Sequence, residues 1–186
     1  FYFTLSNTQD YTGGNYGQSN NYARYSKPST KITAPDFPGL LMDYSEVEFL
    51  LAEAASRGFG VEGTAEEHYN KAITASIEYW GGTEEQAKAY LSQPGVAWST
   101  AEGDWKEKIG VQKWIALYNR GFDAWTEWRR LDYPELTPPP GMDQEDIPVR
   151  FTYPVLEQNL NTVNYEAAAG AIGGDVISTR LFWDLN

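Results

Sequence analysis

Apolar residues recur three and four positions apart in the middle of the chain, and polar residues punctuate them as helix caps do. From residue 43, Val47, Leu50, Leu51 and Ala54 fall on one helical stripe, and Ser45 followed by Glu48 fits a capping box. The spacing predicts a helix from Ser45 to about Arg57, stopped by Gly58. The pattern restarts at Thr64, with Glu67 three residues on, and carries Tyr69, Ala72, Ile73, Ser76, Ile77 and Trp80 on one side before Gly81-Gly82 closes it. Two capped helices joined by a short glycine-bearing turn pack antiparallel, and residues 45–80 match in length the roughly 34-residue unit of tetratricopeptide repeats.

Thr83 with Gln86 caps a third helix reaching about Leu91, and Pro94-Gly95 breaks it. Ser99 with Glu102 is read as opening the longest helical stretch, which ends near Leu131. Its stripe holds Val111, Trp114, Ile115, Tyr118, Phe122 and Trp125, with Gly110 tolerated inside and Gly121 marking a kink or restart. Residues 1–42 show no helical period; tyrosines, asparagines and glycines alternate there as in a loop. Pro138-Pro139-Pro140-Gly141 must be a surface crossing. Beyond it, a helical turn is expected over Pro154–Asn159, punctuated by Asn161 and Asn164, and a glycine loop precedes Leu181-Phe182-Trp183. The expected organisation is a loop-rich segment, 1–42, packing on a helical region, 43–186, as one domain.

Composition narrows the function classes. A formal net charge of −12, with only 14 basic residues and no long basic run, argues against nucleic acid as a partner. The absence of cysteine removes disulfides, thiolate metal sites and cysteine nucleophiles. No run of about 18 apolar residues and no leader pattern is found. A chain beginning on Phe1 is expected to be a piece of a longer protein. Aromatic residues reach 15%, which suits an irregular core, a partner interface or a carbohydrate platform.

Candidate chemistry is sparse. Glu53 sits inside the run Phe49-Leu50-Leu51-Ala52 and Ala54-Ala55, so its carboxylate needs a partner, and Arg129 or Arg130 is the expected structural ion pair. Asp123 and Glu127, four apart, point the same way instead of flanking a substrate as glycosidase carboxyls do. His68 is the only histidine, so no Ser-His-Asp or histidine-rich metal site can be drawn, and a helix-surface place is expected for it. Asp143-Gln144-Glu145-Asp146 lacks the glycine and spacing of an EF-hand. No catalytic residue, metal or cofactor is assigned. Trp114, Trp125 and Trp128 are expected in the core. The ligand-contact candidates are Tyr11, Asn15, Tyr16 and Tyr22 in the first loop, with Trp98 in the loop after Pro94-Gly95; plain packing of Trp98 stays open.

Taken in order, Tyr44–Ala55, Ala65–Ile73, Ile109–Tyr118, Gly121–Pro134 with its Ala124-Trp125-Thr126-Glu127-Trp128-Arg129-Arg130 core, and Arg150-Phe151-Thr152-Tyr153-Pro154 resemble the C-terminal part of the SusD/RagB family of outer-membrane nutrient-binding lipoproteins. The resemblance implies an all-α fold of tetratricopeptide-like helix pairs with long irregular loops, in a fragment lacking the N-terminal half. It also implies non-enzymatic capture of a glycan, or of a peptide, at the extracellular face of the outer membrane. The nutrient would pass to a SusC-like TonB-dependent transporter, with membrane attachment only through the lipid anchor of the full-length parent. The rival readings are a tetratricopeptide-like protein-interaction scaffold and a glycoside hydrolase. The resemblance carries over no ligand residues.

Overall fold

A computed structural model of the chain describes residue 3 and residues 10–184. The fold is all-α. Among the described residues there are seven α-helices and one 3-10 turn, with a single isolated antiparallel bridge between Phe3 and Pro28. The chain divides into two compact units, one through Pro134 and one from Glu135. The first holds α1 (Tyr44–Ser56), α2 (Ala65–Tyr79), α3 (Glu84–Leu91), α4 (Trp105–Ala116) and α5 (Gly121–Leu131), and the second holds α6 (Val155–Leu160) and α7 (Thr162–Ala171).

In the first unit α1 pairs with α2, and α4 with α5, as two helical hairpins; α4 also packs on α1 and α2, and α3 on α2. The core between them is Phe49 and Ala52 from α1, Tyr69, Ala72 and Ile73 from α2, Val96, Ile109 and Leu131. Each large apolar member contributes about 1.5–3 kcal/mol of burial. Ala52 and Ala72, both without exposed surface, let α1 and α2 approach closely, and the Ser45 hydroxyl crosses the gap to donate to the Ala72 carbonyl at 2.8 Å.

That contact corrects the expected start of α1. Ser45 is spent on α2, and the cap is Asp43, whose carboxylate accepts from the Glu46 N–H. The packed face also differs from the expected stripe. Ser45, Glu48, Phe49, Ala52 and Glu53 are buried, whereas Val47 and Leu50 are exposed at 37% and 39%. At 100° per residue the two sets lie on opposite sides of the helix, so the packed side is the one that carries Ser45, Glu48 and Glu53 beside Phe49 and Ala52. The boxes at Thr64 and Glu67 on α2 and at Thr83 and Gln86 on α3 are both formed.

The long stretch from Ser99 is not one helix. Residues 99–103 are turns, α4 starts at Trp105 behind the Asp104 cap, and the chain breaks at 117–120, where Asn119 takes a left-handed φ of 66°. Gly121 is the first residue of α5. Trp114, expected inside, is exposed, as is Phe122 of the same stripe, while Trp128 is buried and donates its indole N–H to the Pro134 carbonyl at 3.0 Å. Gly110 is required by packing: a Cβ there would lie 2.8 Å from the Cβ of Tyr133.

In the second unit, the buried pair of Arg150 and Asp175, 3.0 Å apart, ties the extended run before α6 to the segment after α7. Asp175 also accepts from the Tyr153 N–H at 3.1 Å. The asparagines do not end the helical pattern. Asn161 forms the joint between α6 and α7, with its side chain donating to Glu157 at 2.9 Å and accepting from Asn164 at 2.6 Å.

Candidate functional site

The loop from 12 to 26 is closed at its base by two hydrogen bonds. The Thr12 N–H donates to the Ser26 hydroxyl at 2.9 Å, and the Ser26 N–H donates to the Thr12 carbonyl at 2.8 Å. Within it the Asn20 side chain mimics a strand partner: its oxygen accepts from the Asn15 N–H at 2.9 Å and its nitrogen donates to the Asn15 and Gln18 carbonyls at 2.7 and 3.1 Å. Gly17, with φ 73°, allows the turn between them. Polar side chains thus fix the loop from inside and leave the rings of Tyr11, Tyr16 and Tyr22 outside, Tyr22 at 73% exposure with the Lys27 ammonium 4.5 Å from its ring centroid. Asn15 is exposed in the same loop, with its main-chain N–H and carbonyl both engaged by Asn20.

Trp98 sits in a different setting. It is half-buried on the α3–α4 connection, edge-on to the Tyr69 ring at 5.1 Å and packed against the core, with the Lys108 ammonium 5.5 Å from its centroid. Of the two readings open for Trp98, packing accounts for much of its ring: Val96, two residues earlier, is drawn into the core, and its carbonyl accepts from the Tyr69 hydroxyl at 2.7 Å.

Glu53 is 6% exposed and lies in a network of ion pairs. The Arg130 guanidinium donates to both of its oxygens, and Arg57 adds a bond of 2.8 Å. Arg130 also reaches Glu127 at 2.5 Å, and the fully buried Lys113 ammonium lies 3.0 Å from the same carboxylate. Burial alone would raise the Glu53 pKa, but the two guanidinium groups outweigh it and hold the carboxyl below its usual range. Burial pulls the Lys113 pKa down against the pull of Glu127. Arg129 does not join: its guanidinium lies 3.7 Å from the centre of the Trp125 ring, which it covers. Asp123 pairs with Arg120 at 2.9 Å, and Arg120 reaches Glu46 on α1 at 2.5 Å. Asp123 and Glu127 therefore serve separate ion pairs.

His68 is buried, which corrects its expected surface place. Nδ1 lies 2.6 Å from Glu48 and Nε2 lies 2.7 Å from the Glu62 carbonyl, so both ring nitrogens face acceptors. The Glu48 hydrogen bond, opposed by burial, raises the imidazole pKa. Sequence reasoning missed His68, Lys113 and Arg120 as internal cations because their partners lie on other elements. For Lys113 one signal existed, its place between Val111 and Trp114-Ile115.

Paired helices with an exposed, hydrogen-bonded tyrosine loop define a helical-repeat protein carrying a long irregular loop. The family described as SusD-like, starch-binding associating with outer membrane, matches residues 2–154, and the chain belongs to this family. Among solved structures, the Bacteroidetes AC2a SusD-like protein is 34% identical with a TM-score of 0.76, over 87% of this chain and 33% of its own. A chitin-binding protein is also 34% identical, with a TM-score of 0.73 over 87% of this chain and 37% of its own. A chitin-binding SusD homologue from Flavobacterium johnsoniae is 27% identical with a TM-score of 0.80, over all of this chain and 45% of its own. The chain thus spans between a third and a half of these proteins. No curated protein matches it.

Proposed function

We propose that this chain is the part of a nutrient-binding protein that contributes a glycan-contact surface, without catalysis. The observation that carries the reading is the set of exposed rings of Tyr11, Tyr16 and Tyr22, on or next to a loop that the Asn20 side chain ties from within, with Asn15 exposed in it. Such rings lie flat on sugar C–H faces while an exposed amide meets hydroxyls. The chitin-binding neighbours favour an N-acetylated glycan as the ligand. Trp98 would contribute through the part of its ring left exposed. In the full-length parent the protein would sit lipid-anchored on the extracellular face of the outer membrane and hand its ligand to a SusC-like TonB-dependent transporter.

One observation favours a protein contact in addition. The apolar stripe of α1, with Val47 and Leu50 exposed and Leu51 and Ala54 half-buried, suits protein and not sugar.

The test is isothermal titration of the chain with tri-N-acetylchitotriose, beside a glycan and peptide array. Tyr16→Ala and Tyr22→Ala should each weaken binding roughly 2- to 10-fold, the worth of one stacked ring. Retention of nothing on either array, or full affinity in the double variant, refutes the reading.

A further inference from the structure

Gln112 on α4 is nine-tenths buried, yet half of its side-chain amide is unused. Its oxygen accepts from the Tyr90 hydroxyl at 3.0 Å, and its nitrogen has no hydrogen-bond partner among the described residues. Turning the amide over does not change this, because a single hydroxyl satisfies only one of the two atoms. Nor is the nitrogen sealed inside protein, as the Tyr79 hydroxyl is.

Gln112 is common to the walls of two cavities. The first is a cleft of about 370 Å³ lined by Tyr69, Thr100, Glu102, Glu107 and Lys108 as well. The second is an apolar recess of about 140 Å³ between Ile73, Ile77, Trp80 and Ile115. The cleft falls at the small end of the range for ligand pockets, and the recess has room only for a small apolar group.

Charge selects the ligand class. The Lys108 ammonium, donating to the Trp98 carbonyl at 2.9 Å, keeps its charge and answers only one of the two carboxylates of Glu102 and Glu107, so the field of the cleft stays net negative. That field, in a chain of net charge −12, repels anions. A neutral ring offering hydroxyl donors to the carboxylates suits the cleft. An amide carbonyl suits the Gln112 nitrogen, and a methyl group suits the recess.

We propose that the Gln112 cleft is a second carbohydrate subsite, sharing no residue with the tyrosine loop, that takes one N-acetylated hexose unit. The acetamido carbonyl accepts from the Gln112 amide and the acetamido methyl enters the apolar recess. The proposal rests on the glycan reading of the chain and adds to it a location and a recognised group.

The experiment is a titration of the 15N-labelled chain with tri-N-acetylchitotriose, maltotriose and the fully deacetylated chitotriose. The Gln112 side-chain amide and Gly95 report the cleft, and Gly13, Gly14 and Gly17 report the tyrosine loop. Saturable shifts at the cleft signals with the acetylated trimer alone are expected. Binding read at Gly95 should weaken about tenfold in Gln112→Met, one hydrogen bond's worth, and the shifts at both signals should disappear when Ala101→Trp fills the rim. Should Gln112→Met unfold, Ala101→Trp decides the matter, because residue 101 lies outside the core. Loop shifts with silent cleft signals overturn the subsite and leave the glycan reading standing. Equal cleft shifts with maltotriose, or stronger ones with the cationic deacetylated trimer, overturn the recognised group. Silence at both sets overturns both readings.

Discussion

Glu53→Gln and Arg130→Met test whether the buried ion pair is what joins the first hairpin to α5. The backbones of α1 and α5 do not approach one another, so the long arginine side chain spans a gap that packing leaves. Removing one partner of a fully buried pair costs about 3–5 kcal/mol. Here the Arg130 side chain is 29% exposed and keeps Glu127 when Glu53 loses its charge, while Arg57, at 41%, turns to water. Each single variant should therefore lose about 2–3 kcal/mol, and the double variant little more than either, a coupling of about 1.5–2 kcal/mol.

Urea unfolding followed by tryptophan fluorescence reads the correct unit, since six of the seven tryptophans precede Glu135. Midpoints should fall by about 1–2 M. The exposed pair of Glu84 and Lys88 is the reference, where a matching cycle should show no measurable coupling. Because the Glu53 carboxyl is held below its usual 4.5, the contribution of the pair is complete above that pH and is lost as the pH falls through the depressed value. Additive single losses, or a coupling below about 0.5 kcal/mol, would refute the tie and leave Glu53 as a buried group satisfied locally by Arg57.

The other predictions concern packing and protonation. His68 has a folded pKa above its usual 6.5, so its contribution to stability is complete below that value and is lost as the pH rises through the raised one; His68→Gln should abolish that fall in the urea midpoint. Gly110→Ala gains about 1 kcal/mol of helix propensity but forces Tyr133 to move, at about 1–3 kcal/mol, so thermal unfolding should show net destabilisation. Phe49→Ala should cost about 3–5 kcal/mol and Leu50→Ala less than about 1, a contrast that equal losses in urea unfolding would contradict.

Helix existence was legible wherever a cap preceded a period. Thr64 with Glu67 and Thr83 with Gln86 were readable because a capping box is local, its two partners three residues apart. Ser45 with Glu48 and Ser99 with Glu102 have the same spelling and do not cap. Ser45 is claimed by the Ala72 carbonyl 27 residues away, and Ser99 lies in turns that follow the anchoring of Val96 by Tyr69. The same divide separates the candidate residues. The tyrosine loop could be picked out because loop composition is itself a local property, whereas the half-buried setting of Trp98 depends on Tyr69 and Lys108.

The face of α1 shows most plainly where pattern reading stops. Val47, Leu50, Leu51 and Ala54 form the more apolar stripe, and a rule that buries the apolar face would choose them. The buried face instead carries Glu48 and Glu53, two carboxylates that disfavour burial unless each meets a cation. Glu53 does, in Arg130 from α5, 77 residues on, and Glu48 is met by the Nδ1 of His68 from α2, 20 residues on, which is a cation when protonated. Once those partners are present the carboxylates favour this face, since leaving them in water would strand His68 and Arg130 instead. The less apolar side of the helix is thus the packed one because its charges are answered from elsewhere, and Val47 and Leu50 of the apolar stripe are left exposed.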